Sequence, residues 1–290
     1  MSVVRLMALE VNAVHHCNLA CVGCSHASPV APVKIADPDQ VQRDFAGLAG
    51  IVVLDHVKVV GGEPLLHPDL AGLLLAIRRS GIGCRVRVAT NGTLLHRAGW
   101  DWLAAADDVH ISRYPGTVID PDAMAELSAR CDRAGKQLLI KSYQHFRLVE
   151  PADRLDAADA QAVFDSCQLV HAWSCHTVED GYVYLCPPAL PVDRPAEENA
   201  RCSIGPRAGL AERLQALLSR RAPLEGCSTC LGSVGNLVPH SQANRKTWIP
   251  LSRNGRIDRG QLAHLQAGGS GHNGCYVDDE LLPGHAGTAP

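Results

Sequence analysis

Three cysteines fall within eight residues near the start of the chain, in the run His16-Cys17-Asn18-Leu19-Ala20-Cys21-Val22-Gly23-Cys24. Thiolates are soft ligands, and the CX3CX2C spacing lets them take three irons of a [4Fe–4S] cluster while the fourth iron stays open. The same loop reads as a zinc knuckle if His15, His16 or His26 completes a tetrahedron. A second group, Cys167, Cys175, Cys186, Cys227 and Cys230, lies in the last half of the chain with Cys202 and Cys275 among and after them. Cys84 and Cys131 stand alone and read as core thiols. Twelve cysteines in 290 residues point to metal rather than disulfides in a chain read as cytoplasmic.

These thiols need elements to position them. Apolar runs over 6–14, 56–60, 85–89, 109–112 and 137–141 alternate with stretches over 39–48, 69–79, 100–106 and 122–133 whose apolar residues recur at three and four. That is the signature of βα units on a parallel sheet. The expected fold is α/β, a partial (β/α)6 TIM-like barrel with ligands at the carboxyl ends of its strands. Beyond residue 151 come a helical pattern over 156–164, an alternating stretch over 177–185, a Pro-rich connection over 187–195, a helical pattern over 207–220, then Gly-rich coil. A segment so poor in core and rich in Cys suggests a small appendage held by metal. The division expected is 1–150 barrel, 151–267 appendage and 268–290 loose tail.

Lys+Arg 27 against Asp+Glu 30 leaves a formal charge of −3, so no basic face for nucleic acid is expected. No apolar run approaches the roughly 20 residues of a membrane span, and the N-terminus lacks a signal peptide's pattern.

Gly61-Gly62-Glu63-Pro64 ends the second expected strand and Thr90-Asn91-Gly92 the third. CX3CX2C, GGEP and TNG in this order resemble the radical SAM superfamily over about residues 6–145. The resemblance implies that Cys17, Cys21 and Cys24 hold a [4Fe–4S] cluster whose open iron chelates S-adenosyl-L-methionine. It implies that the backbone of Gly61, Gly62, Glu63 and Pro64 holds the cofactor's amino group, with Asn91, Ser112 and Arg113 as further contacts. Glycines would allow close backbone approach to the ligand, and Glu63 has the alternative of a helix N-terminal charge. A 5′-deoxyadenosyl radical then takes hydrogen from carbon, with electrons from a flavodoxin or ferredoxin-type donor. One departure is Gly23, where relatives usually carry an aromatic residue against the adenine.

The later cysteines resemble a SPASM domain or its shortened twitch form. Cys167 or Cys175 with Cys186, Cys227 and Cys230 would ligate one auxiliary [4Fe–4S] cluster, or zinc. The run Asp180-Gly181-Tyr182-Val183-Tyr184-Leu185-Cys186 looks like the hairpin that ends on a ligand. The expected substrate is a small-molecule carbohydrate or aminocyclitol, most similar to those of radical SAM epimerases in antibiotic biosynthesis. Cys202 is the expected hydrogen donor and Cys275 the second candidate. The alternatives are an aminocyclitol dehydrogenase, in which the auxiliary cluster accepts an electron, and a peptide maturase. His176, Glu179, Asp180 and His240 read as solvated residues or polar contacts to sugar hydroxyls.

Overall fold

A computed structural model describes residues 3–190, 192 and 197–269, and the backbone of 276–280. The first half alternates as expected: β1 (Val4–Val14), α1 (Pro38–Leu48), β2 (Val52–Gly61), α2 (Leu70–Arg79), β3 (Arg85–Thr90), α3 (Asp101–Ala105), β4 (Asp108–Arg113), α4 (Pro121–Ala134) and β5 (Gln137–Tyr143). Asp37, Asp69 and Asp120 start α1, α2 and α4, each accepting a backbone N–H from the first turn. The second half contains β6 (His145–Arg147), α5 (Ala157–Asp165), α6 (Gln168–His171), β7 (Thr177–Glu179), β8 (Tyr182–Tyr184), β9 (Arg201–Ser203), α7 (Leu210–Leu218), β10 (Leu237–Pro239), α8 (Arg245–Ser252), α9 (Arg259–Gln266) and β11 (Tyr276–Glu280).

Among the described residues the main sheet runs β11-β5-β4-β3-β2-β1-β7-β8-β9. Strands β1 to β5 are parallel, and β7 joins the outer side of β1 in parallel. The fold is therefore α/β on a parallel sheet. The chain after β5 does not extend the sheet directly: β6 turns away to pair with β10, and antiparallel β11 covers the free edge of β5.

The segment expected to be coil after residue 220 contains α8 and α9. Pro250 inside α8 argues against a helix in sequence, but Trp248 buries its ring at 1% exposure and anchors the turn.

One face of the sheet packs Leu9, Val11, Val57, Val59, Val86, Val88, Val109, Ile111, Leu138 and Ile140 against the helices. Register places Glu10, Lys58, Arg87, Asp108 and Gln137 side by side on the opposite face. Lys58 contacts Glu10 at 3.4 Å, and Arg87 contacts Asp108 at 3.4 Å. The alternation that produces this polar face is visible in the sequence of each strand.

Candidate active site

The loop after β1 carries Cys17, Cys21 and Cys24, and the two glycine motifs close on it. The Gly62 N–H donates to the Val14 carbonyl at 2.8 Å, and the Glu63 N–H to the His16 carbonyl at 3.1 Å. A Cβ at Gly62 would lie 1.8 Å from the His16 oxygen, and one at Gly61, where φ is +119°, 2.3 Å from the Val14 oxygen. The close approach these glycines permit is thus to the cysteine loop itself.

Glu63 is fully buried, and its carboxylate ties the motifs together. It accepts from the Leu65 N–H at 3.0 Å, starting the short turn Pro64–Leu66. It also accepts from the Thr90 hydroxyl at 2.5 Å and from the Asn91 N–H at 2.8 Å. Burial raises its pKa against these hydrogen bonds. The Asn91 amide donates to Asn18 Oδ1 at 3.0 Å and lies 3.8 Å from the Cys17 sulfur. The Asn91 side chain, expected as a cofactor contact, is therefore engaged with the cysteine loop, and the Glu63 carboxylate with Thr90 and the Asn91 N–H. Ser112 and Arg113 end β4, where the Ser112 hydroxyl bonds the Tyr114 phenol.

Burial pushes the Cys17 and Cys21 thiols up to about 12; Cys24 is among the charged neighbours of both, and Cys17 among those of Cys21. Loading with iron must therefore release protons. No three His, Cys, Asp or Glu groups among the described residues converge on one ion position; a cubane gives each thiolate its own iron. Three neighbouring thiols in a desolvated loop, beside glycines that admit no side chain, fit such a cluster.

The far end of the chain braces this loop, which the sequence did not suggest. The Val22 N–H donates to the Ser241 carbonyl, the Ala243 N–H to the Ala20 carbonyl, and the Ala20 N–H to Gln242 Oε1. The Gly23 N–H reaches Ser252 Oγ at 3.0 Å, and the Trp248 indole N–H the Cys21 carbonyl at 2.8 Å. His240 Nε2 lies 3.2 Å from the Cys21 sulfur. Gly23 has its own reason: φ is +79°, and a Cβ would meet Leu148 Cδ2 at 3.2 Å and Phe146 Cβ at 3.7 Å. The space of an aromatic residue there is taken by β6 and the residue after it. Tyr114, Tyr143, Phe146 and His240 form an aromatic group beside the loop, with Tyr114 stacked on His240 at 4.9 Å.

Cys167, Cys186, Cys227 and Cys230 line one small cavity with Phe164, Leu185 and Leu224. A Cβ at Gly232 would meet the Cys167 sulfur at 2.8 Å, so glycine makes room for that thiol. The charged neighbours of the Cys186 thiol are Cys230, Cys167 and Cys227. Cys175 is absent from that wall; its main charged neighbours are Glu10 and Lys58 on the polar sheet face. Of the two alternatives, the structure brings Cys167 and not Cys175 to the other three.

Cys186, Cys227 and Cys230 also line a larger cleft, whose lining includes Cys24 and His26. Burial lowers the His26 pKa, and its Nε2 has no hydrogen-bond partner among the described residues. His26 was considered in the sequence only as a metal ligand.

The expected hydrogen donor sits elsewhere. Cys202 lies in β9 opposite Val183, and strand alternation turns both into the apolar core shared with α1 and α7. It lines neither cysteine-walled cavity. Cys275 lies outside the described residues. Glu179 is not solvated: it accepts from Lys34 at 2.7 Å and pairs with His15 Nε2 at 2.6 Å. His176 is buried with Nδ1 at 2.7 Å from the Leu185 carbonyl. Asp180 occupies the hairpin turn and pairs with Lys34.

Residues 11–135 match the family model described as the Radical SAM superfamily. Among curated proteins, a probable GTP 3′,8-cyclase of Halobacterium salinarum is 34% identical over 128 residues, 41% of this chain and 34% of that protein. The 7-carboxy-7-deazaguanine synthase of the same species is 34% identical over 118 residues, 40% of this chain and 44% of that protein. The match thus spans about a third to under half of these relatives. Among solved structures, BtrN in complex with AdoMet and 2-DOIA is 13% identical, with 89% of this chain and 96% of that chain covered at a TM-score of 0.44. Native anSMEcpe with bound AdoMet and Cp18Cys peptide is 15% identical, with 86% and 88% covered at a TM-score of 0.45. The cofactors of the matched family are a [4Fe–4S] cluster and S-adenosylmethionine, and the likeness of this chain to that family covers residues 11–135.

Proposed function

We propose that this radical SAM enzyme oxidises an alcohol carbon of a small molecule, a carbohydrate or aminocyclitol, bound between two thiol sets. The observation that carries the reading is that Cys24 lines the same cleft as Cys186, Cys227 and Cys230. When bound, the cofactor of the first cluster supplies a carbon radical that takes a hydrogen atom, and a second cluster on Cys167, Cys186, Cys227 and Cys230 supplies a one-electron acceptor. The chain's own part is to hold substrate in that cleft and to take up the hydroxyl proton. His26 suits that proton: it lines the cleft, burial lowers its pKa, and its Nε2 has no hydrogen-bond partner among the described residues. Epimerisation instead needs a hydrogen donor at the substrate, and the thiol expected for it is in the core.

In this reading residues 1–150 carry the radical chemistry, 151–267 the second cluster and 268–290 a tail. A flavodoxin or ferredoxin-type protein supplies electrons. Anaerobically reconstituted protein should hold about eight irons, two cubanes. With candidate aminocyclitols in D2O, oxidation gives a carbonyl, whereas solvent deuterium at one carbon would establish an epimerase. A second reading, cyclisation of a purine nucleotide, draws on the name of the 34%-identical relative. GTP is therefore included as a substrate, and its turnover would replace the alcohol reading.

A further inference from the structure

The His240 imidazole touches a thiol that the reading above assigns to the first cluster, from a segment 219 residues further along the chain. We propose that His240 is a positioning residue for that cluster: its Nε2–H donates to the Cys21 thiolate and raises the reduction potential of the cluster that thiolate holds. The proposal rests on the reading that Cys17, Cys21 and Cys24 are ligands.

Geometry fixes the ring. Nε2 stands 3.2 Å from the sulfur, inside the range of an N–H···S hydrogen bond. Tyr114 stacks on the imidazole at 4.9 Å with an interplanar angle of 14°, and Phe146 meets it edge-on at 5.1 Å. The His240 backbone N–H donates to the Gln144 carbonyl at 2.9 Å. On either side of the sulfur the loop is clamped to the same segment, through Val22 to Ser241 and through the Cys21 carbonyl to Trp248. Neither ring nor thiol can turn away without breaking several contacts.

Chemistry fixes the direction of the bond. A ligating thiolate has no proton to give, so a hydrogen bond to it requires the hydrogen on Nε2, in competition with the Pro115 carbonyl, which the ring also meets. Reduction adds negative charge that the thiolates share, and a donor to sulfur favours the reduced form. A hydrogen bond to a charged group is worth about a tenfold change in equilibrium. For one electron that is about 59 mV.

His240→Phe keeps a ring against Tyr114 and removes the donor. The measurement is the midpoint potential of the holoenzyme's first cluster, followed by the EPR signal that changes when S-adenosylmethionine is added. The expected result is a reduced-to-oxidised ratio about tenfold lower at fixed ambient potential, a midpoint about 59 mV more negative, with iron content unchanged. His240→Gln, whose amide nitrogen reaches the same position, should restore the wild-type midpoint. A wild-type midpoint in His240→Phe overturns the proposal.

If His240→Phe loses iron, wild-type holoenzyme with 15N-labelled histidine decides. A 15N hyperfine coupling to the reduced cluster that His240→Gln removes supports the bond, and a spectrum identical in the two proteins overturns it. The underlying reading fails separately, if replacing Cys17, Cys21 and Cys24 with Ala leaves the iron count unchanged.

Discussion

At the residue scale, the glycine and carboxylate motifs act first on the protein. Gly62 has no room for even a methyl group beside the His16 oxygen, so Gly62→Ala should displace the cysteine loop. Iron bound after reconstitution should fall by about half, from about eight atoms to about four; full iron content in Gly62→Ala would contradict the packing. Glu63→Gln replaces one acceptor oxygen with a donor facing the N–H or O–H groups that Glu63 now receives. A loss of about 1–3 kcal/mol in denaturant unfolding is expected. The three motifs were legible in sequence because each is local and short. Their mutual bracing was not, because it depends on hydrogen bonds between loops 28 residues apart, as from Asn91 to Glu63. Cys202 shows the opposite failure: it looks like a loop thiol between two ligands, and only strand pairing with Val183 reveals which way it points. Cys202→Ala should keep both the iron count and the product, at a stability cost on the order of 1 kcal/mol.

At the element scale, the β7–β8 hairpin turns through Asp180 and Gly181, both with positive φ, the pairing expected of a tight two-residue loop. Its position was legible from that dipeptide, whereas its docking was not. Glu179 at the end of β7 anchors it to His15 and Lys34. Burial raises the Glu179 pKa, but the hydrogen bonds and charges of His15 and Lys34 outweigh it and hold the carboxyl below its ordinary value. A depressed folded-state pKa adds stability above the unfolded value of about 4.3, and that contribution is lost as pH falls through the folded value. Glu179→Gln should therefore unfold more easily than wild type at pH 7, with the gap closing in acid; a gap independent of pH would exclude the ion pairs as its cause. In α8, Trp248→Phe removes the indole donor to the Cys21 carbonyl and leaves it the longer bond from the Cys24 N–H at 3.2 Å. It should cost about 1–3 kcal/mol and weaken iron retention in the first cluster before the second.

At the scale of the whole molecule, the halves seen in composition share one sheet and one core. The parallel order of β1 to β5 could be read from alternating periodicity; the placement of β7 beside β1 could not, because strands of three residues carry too little pattern. A chain cut after residue 150 would leave the outer edge of β1 unpaired, an edge prone to join other copies. Size-exclusion chromatography should show it aggregated, and a clean monomer would argue for an independent first half. Cys167→Ala should lose the second cluster while Cys175→Ser keeps it, which iron counting resolves. The brace on the first loop also bears on the timing of assembly. Cys21 leaves the ribosome 219 residues ahead of the histidine that meets it, and at about 5–20 residues per second that is roughly 10–45 s. During that interval the nascent loop has no lid, and its thiols stand open to oxidants and to stray metal. Faithful cluster insertion in the cell therefore belongs after that interval, when the later segment has closed over a loop made well before it.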